Sequence, residues 1–370
     1  MKPSSPACLL AFLLLFTLSP AARAKDAPRY RPLNWEWNKA EIKELKELVK
    51  NVKNEADGSL TLETENWRIR TWHTPLFTAQ AGKYMEIFSE TFFKAFMLKG
   101  ERGFKDFKPE LRVYKSRGDY LTQSGAPEWS AGLCKSSWRC QGGKCVPDIN
   151  LHTYYNYSPS AKGKGKLEPV FGTQIPLGTI QHEGTHCLLQ CIYGPIMIPM
   201  WLNEGAASYY EAWLLRAKIS ESGEEKSDIA ARVKRRSFTT GPRSMQGYYA
   251  GKKLELPTLD KLLSANTHDL FYCDNGGPQT KLNYDLSESF IDFLMSSRKR
   301  RPFMMTVLER VRDQKGVMTA DKPFVTDEEM LEYEKDWLEF LYQQWGVPFS
   351  KERALERAKE LKARVQQKNK

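Results

Sequence analysis

The sequence predicts an α+β fold, with strands gathered in the first half and helices dominating the second. Three observations carry that expectation. Between Ser59 and Trp72 the residues Leu60, Leu62, Trp67, Ile69 and Thr71 include alternating positions, the period of a half-buried strand. Strand-like runs recur near Leu111 to Tyr114, Trp129 to Leu133 and Val146 to Tyr155. From Ile180 onward, apolar residues instead return at helical spacing in successive segments.

Taken in order, residues 25–57 hold a Pro/Trp-rich lead-in and a charged helix from Asn38 to Asn54. The β segment 59–72 follows. An amphipathic helix then spans about Ala79 to Lys99, with Tyr84, Ile87, Phe88, Phe92 and Phe96 as its core-facing stripe. The three short strands come next. A helix over Ile180 to Tyr193 buries Ile180, Leu188, Leu189 and Ile192 and stops at Gly194-Pro195. Pro199 opens a second helical run through Trp213. Beyond about Lys218 the chain turns helical and charged, with a loop from Ser220 to Arg243. Pro257-Thr258-Leu259-Asp260 opens a helix, and Tyr284 to Ser296 and Glu328 to Trp345 are strongly periodic. Gly346-Val347-Pro348 punctuates, and a basic tail helix follows. No internal repeat is visible. The division this implies is a leader at 1–24, a lead-in at 25–57, an α+β subdomain at 58–218, a helical subdomain at 219–347 and a tail at 348–370, with a substrate cleft between the two subdomains.

The ends predict export. Lys2 precedes an apolar run from Leu9 to Leu18, and Ala22-Arg23-Ala24 is a small-x-small cleavage site. A cleaved leader places the protein outside the cytoplasm, secreted or periplasmic. Cys8 lies within that run, so six of the seven cysteines remain, an even number in an oxidising compartment. Cys134, Cys140 and Cys145 crowd one segment with Gly142-Gly143 and read as a disulfide-tied loop. Cys187 and Cys191 are one helical turn apart and poorly placed to bond each other. Each is expected in the core or bonded elsewhere, with Cys273 one candidate partner. The pairing itself stays open.

The chain carries 56 Lys+Arg against 45 Asp+Glu, a formal charge of +11. Basic runs stand at 232–236, at Arg298-Lys299-Arg300-Arg301 and from Lys351 to Lys370. Solvated helical faces account for such runs, and an anionic envelope polymer or membrane surface is the sharper alternative. No nucleic-acid motif is present, and a nucleic acid is not an expected partner.

The chemistry concentrates in His182-Glu183-Gly184-Thr185-His186, which holds two of the five histidines. On a helix, residues four apart share a face, so His182 and His186 can address one metal ion while Glu183 projects beside them. Glu204, in Trp201-Leu202-Asn203-Glu204-Gly205, supplies a carboxylate from the following helix. Two imidazoles and a carboxylate are the protein ligands of a hydrolytic zinc site with its fourth position open. Glu211, two turns past Glu204 on the same face, is either an acceptor that supports a ligand from behind or the competing ligand itself.

An HExxH followed by a Glu in an Asn-Glu-Gly setting resembles the gluzincin metallopeptidases. Residues 201–209 are similar to the second zinc-binding helix of aminopeptidase-N-like enzymes. A closer resemblance, over roughly residues 65–345, is to a bacterial peptidase-MA-like family. It rests on the zinc motif and, more weakly, on Leu111-Arg112-Val113-Tyr114, Arg117-Gly118-Asp119-Tyr120, the Gly132 region and residues 284–294, which look like that family's Tyr-x-x-Ser helix. The resemblance implies a thermolysin-like core, a small mixed sheet plus zinc-binding helices, with one Zn2+ on His182, His186 and Glu204. Some relatives place an Asp where this chain has Ser208, which brings no charge to hold a histidine.

On this reading Glu183 takes a proton from water and delivers it to the leaving amine of a peptide substrate. Tyr284, beginning its helix, is the candidate donor to the developing oxyanion, with His268 and Tyr210 as weaker alternatives. The Gly-x-Met-Glu-Asn segment with which aminopeptidase-N-like enzymes capture a free amine is missing. An endopeptidase is therefore expected, with a strand inside Val146 to Tyr155 offering its edge to an extended peptide. The competing expectation is a non-catalytic zinc protein of the envelope that binds anionic polymers.

Overall fold

The computed structural model describes residues 39–95, 107–128, 130–142, 144–155, 174–211, 258–275, 277–318, 322–345, 347 and 351–368. The expected leader, the loop 220–243 and the basic run 232–236 lie outside them. The architecture is α+β: one six-stranded mixed sheet with helices against it, then a helical C-terminal part.

Helix α1 (Lys39–Lys50) leads into a meander of β1 (Lys53–Asn54), β2 (Leu60–Glu63) and β3 (Arg68–Thr71). These pair antiparallel, Leu62 opposite Ile69, with both side chains buried. Helix α2 (Pro75–Ala95) crosses over to β4 (Glu110–Tyr114), which lies parallel to β3. Helix α3 (Arg117–Ser124) has no apolar period to announce it. Its ends are local: Ser116 accepts from the Asp119 amide, and Gly125 adopts φ 65°. The hairpin of β5 (Gly132–Gln141) and β6 (Lys144–Tyr154) completes the sheet in the order β1-β2-β3-β4-β6-β5.

That order corrects one expectation. Within the segment Val146 to Tyr155, Asn150 to Thr153 are bonded to β4 on one side and β5 on the other and have no edge to offer, while Val146 to Ile149 pair with β5 alone. The edge belongs to β5, which runs far beyond Leu133 to Gln141. Its polar second half, Lys135-Ser136-Ser137, lacks the alternation that reveals a strand facing a core. The hairpin end is tied by the Cys140–Cys145 disulfide.

Helix α4 (Gln174–Tyr193) packs against β5 and β6 and stops where Gly194, at φ 76°, returns its amide to Gln190. Gly184 lets α4 approach α2: a Cβ there would stand 2.8 Å from Phe88 Cε1. Helix α5 (Met200–Glu211) follows, then α6 (Leu259–Ser264) and α7 (His268–Phe271). Helix α8 (Pro278–Met295) starts earlier than the periodicity implies. Pro278 takes the first turn and the Asp274 carboxylate accepts from the Gln279 and Thr280 amides. Tyr284 therefore sits inside α8 rather than at its start. Helices α9 (Arg301–Asp313), α10 (Asp327–Phe340) and α11 (Lys351–Lys368) close the fold. Thr326 and Glu329 form a capping box at the start of α10.

One apolar cluster runs from Leu45 and Trp67 under the sheet through Trp201 and Phe290 to Trp337 and Leu361. One close seam is between α5 and α8. A Cβ on Gly205 would lie 2.8 Å from the Ser287 carbonyl oxygen, so only glycine lets the two backbones meet. We expect Gly205→Val to cost about 1–3 kcal/mol through overpacking, read from the midpoint of chemical denaturation. An unchanged midpoint would contradict the close approach.

The basic tail is partly neutralised within the fold. Arg357 pairs with Glu334 at 2.9 Å and with Asp260, and Lys368 pairs with Asp327 at 2.6 Å. Arg364 reaches Asp260 at 3.2 Å and Asp327 at 3.4 Å. These contacts fasten α11 onto α6 and α10. Among the described residues, no helix is long and apolar enough to cross a membrane.

Candidate metal centre

Three of the five histidines leave the chemistry aside or at its rim. His152 is buried with its Nδ1 3.0 Å from the Tyr114 hydroxyl, and burial lowers its pKa to about 4. His73 meets the Tyr114 carbonyl and is likewise pushed down, by burial first, to about 4. His268 is exposed and lies against Tyr272, the rings tilted at 39°, at the cleft.

His182 and His186 face the carboxylate of Glu204. The His182 Nε2 is 3.3 Å from Glu204 Oε2, and the His186 Nε2 is 3.6 Å from the same oxygen. The two rings stand nearly perpendicular, at 81°, with centroids 5.0 Å apart. The other ring nitrogens are held from behind. His182 Nδ1 is 3.0 Å from the Glu211 carboxylate, and His186 Nδ1 is 2.9 Å from the Asn203 amide oxygen. Both of those partners accept only, so each Nδ1 carries the hydrogen. Each Nε2 then turns a lone pair towards Glu204 Oε2, a buried oxygen with no hydrogen-bond partner. Two lone pairs and an orphaned carboxylate oxygen at one point repel unless a cation or protons lie between them. His182, His186 and Glu204 form the one group among the described residues able to hold a metal ion, and the donor set fits the need.

Protons answer that need when no metal is bound. Burial alone would lower both histidines, but the facing carboxylates override it. Glu204 and Glu211 raise His182 well above its usual value, and Glu204 raises His186 to about 9. Burial would raise Glu204, but His186 and His182 hold it well below the usual carboxylate range. A metal must therefore displace protons. Because the raised pKa favours the protonated ligand, competition extends up to about pH 9 at His186. We expect metal affinity to climb by about one log unit per pH unit per displaced proton. The climb continues past about pH 6.5, where ordinary imidazoles would level off. Isothermal titrations with zinc from pH 6.5 to 9 read this directly, and a plateau above pH 7 would contradict it.

Glu211 is thereby assigned a place: it stands behind His182, half exposed, and not between the histidines. Ser208, one turn past Glu204, is buried, and the Nδ1 atoms of the two histidines are held by Glu211 and Asn203 instead. Glu211 supplies, two turns along, the charge that Ser208 lacks.

Glu183 leans to the other side, against the sheet edge. Its Oε2 accepts from the Cys134 amide of β5 at 2.7 Å. Gly132 makes room for this seam: a Cβ there would stand 2.3 Å from Thr179 Cγ2 and 2.9 Å from Glu183 Cγ. Tyr284 lies in the same cleft, its hydroxyl 2.7 Å from that of Tyr272. Tyr272 donates to Glu204 Oε1 at 3.0 Å, so the proton between the two tyrosines belongs to Tyr284. Burial, reinforced by the Glu204 charge, pushes both phenols far up and keeps them protonated. Tyr210 is elsewhere, buried against Phe88 and Phe92, and does not line the cleft.

The cleft encloses about 460 Å³. One wall is β5 from Gly132 to Ser136, the floor is α4 with His182 and His186 beside α5 with Glu204, and Tyr272 and Tyr284 also line it. Sequence reasoning did not single out Asn203, Tyr272 or the Cys134 amide. Asn203 adjoins Glu204 in the Asn-Glu-Gly run, so its neighbour was a signal. Tyr272 lies in a loop without period, and a backbone amide has no signature in sequence. No protein-family model matches the chain, and no curated protein is similar to it.

Proposed function

We propose that this chain is a zinc-dependent peptidase that cleaves internal peptide bonds. The observation that carries the reading is the convergence of the His182 and His186 Nε2 atoms on the orphaned Glu204 Oε2, in a cleft that also holds Glu183. A bound zinc ion supplies a Lewis acid that lowers the pKa of its water towards neutrality.

The chain's own residues do the rest. Glu211 and Asn203 orient the two imidazoles and fix their tautomers. Glu183, held at Oε2 by the Cys134 amide, keeps Oε1 to take a proton from the attacking water and pass it to the departing amine. Tyr284, kept protonated, is the donor we assign to the developing oxyanion. Its proton must first leave Tyr272, which a small rotation about the phenol achieves.

An extended substrate finds its partner in β5. The Cys134 amide points away from β6, towards Glu183, so the alternate residue Ser136 also turns its backbone groups to that edge, whereas the Gly132 carbonyl on the same side already accepts from the Ser130 hydroxyl. A peptide adding there would lie along the cleft. Cleavage of internal bonds is supported by the charges: each acidic residue lining the cleft among those described has a task in the reading above, Glu183 as base, Glu204 as ligand and Glu211 behind His182. None is left to capture a free amino terminus. The reading as a non-catalytic protein on anionic surfaces has less support, since Arg357, Arg364 and Lys368 spend their charge on Asp260, Asp327 and Glu334.

The test is a mixed peptide library. Cleavage should stop when a chelator strips the protein and return when zinc is restored. Cleavage indifferent to the chelator would refute the proposal.

A further inference from the structure

The β5–α4 seam holds a second pair of reactive groups that metal chemistry does not use. Cys187 is one helical turn past Glu183 on α4 and fully buried. Its sulfur lies 3.1 Å from that of Cys134 on β5. Neither is bonded, and Cys134 is half-buried and lines the cleft. The expected alternative partner, Cys273, is exposed on the far side of α7 in sequence and unbonded. The two sulfurs need to close by only about 1 Å to reach the length of a covalent bond.

We propose that Cys134 and Cys187 are an oxidative cross-linking site, a dithiol that a small-molecule disulfide such as oxidised glutathione converts to a disulfide. Cys134, reachable through the cleft, loses its proton and attacks one sulfur of the oxidant, expelling one thiolate. Cys187 then loses its proton and attacks the Cys134 sulfur, expelling the second. Two protein thiols give up two electrons and two protons, and the oxidant leaves as two thiols.

The cross-link would staple the sheet edge to α4. Cys134 already joins these elements twice, through its amide to Glu183 and its sulfur to Cys187. Oxidation makes the second contact covalent and so fixes the amide over the Glu183 carboxylate. It also closes a loop from 134 to 187, long enough for a substantial restriction of the unfolded chain. The proposal does not depend on the hydrolase reading, because the seam exists with or without a metal.

The full chain is reduced, exposed to oxidised glutathione, denatured with N-ethylmaleimide and digested without reductant. Trypsin separates Cys134 from Cys140 at Lys135 and Arg139, and chymotrypsin, cutting after Leu188 and Leu189, separates Cys187 from Cys191. The expected result is a Cys134 peptide joined to the Cys187 peptide, loss of alkylation at both, and a rise in Tm on the order of 5 °C. Cys134→Ser and Cys187→Ala should each abolish the joined peptide and the rise. Full alkylation of both cysteines after oxidation, a Cys134–glutathione adduct that never resolves, or Cys187 joined instead to Cys191 or Cys273 would overturn the proposal. These outcomes are read on wild-type protein, so they stand even if a variant fails to fold.

Discussion

Glu183→Gln should bind zinc as the wild type does and lose about 10²- to 10⁴-fold in kcat, the usual worth of a positioned general base. The two halves of that expectation separate because of where the side chain lies. Glu183 is outside the His182–His186–Glu204 group and touches the sheet edge through the Cys134 amide. A glutamine keeps the size and the accepting oxygen, so the seam with β5 survives. It cannot accept a proton from water at neutral pH. A metal-loaded variant with wild-type turnover would remove Glu183 from the mechanism. Loss of both metal and turnover would instead mean that the side chain supports the fold of the site. Cleavage assays and metal analysis on the same preparation distinguish these results.

The second large effect is on stability. Trp201 opens α5, three residues before Glu204, and is almost wholly buried, its ring 6.0 Å from that of Phe290 on α8. Trp201→Ala should cost about 3–5 kcal/mol, the range for removing a buried large aromatic side chain. The cavity would lie under the helix that presents Glu204 and against the helix that presents Tyr284. Denaturation in urea of the metal-free protein measures the loss. Saturating zinc should recover part of it, because a ligand bound only by the folded state stabilises that state. A loss below 1 kcal/mol would contradict the shared core of α5 and α8.

Which parts of this arrangement could be read from the chain follows from the range of the interactions. His182 and His186 needed only a helix to share a face, and Ile180, Leu188 and Leu189 announced that helix. The glycine of Asn-Glu-Gly could be recognised by resemblance, but its reason, the Ser287 carbonyl, lies on a helix far along the chain. Helix-face spacing offered Glu211 as supporting acceptor or as ligand; that it stands behind His182 depends on how α4 and α5 cross, which local spacing does not encode. The edge was placed on β6 rather than β5 because the apolar alternation is stronger in Val146 to Tyr154, whose second half is paired on both sides, than in the polar edge strand. Helix α3 and the first turns of α8 escaped for another reason: their starts depend on caps, Ser116 and Asp274, rather than on apolar period. Tyr284 was legible as a cleft residue, whereas its partner Tyr272 was not.

The measurement that bears most directly on the account is the metal content of the purified chain after zinc loading and dialysis. One zinc per chain is expected from a single His182–His186–Glu204 site, falling to near zero in His186→Ala and in Glu204→Ala. A His186→Ala protein that keeps its full complement of zinc would contradict the site, and with it the chemistry derived from it.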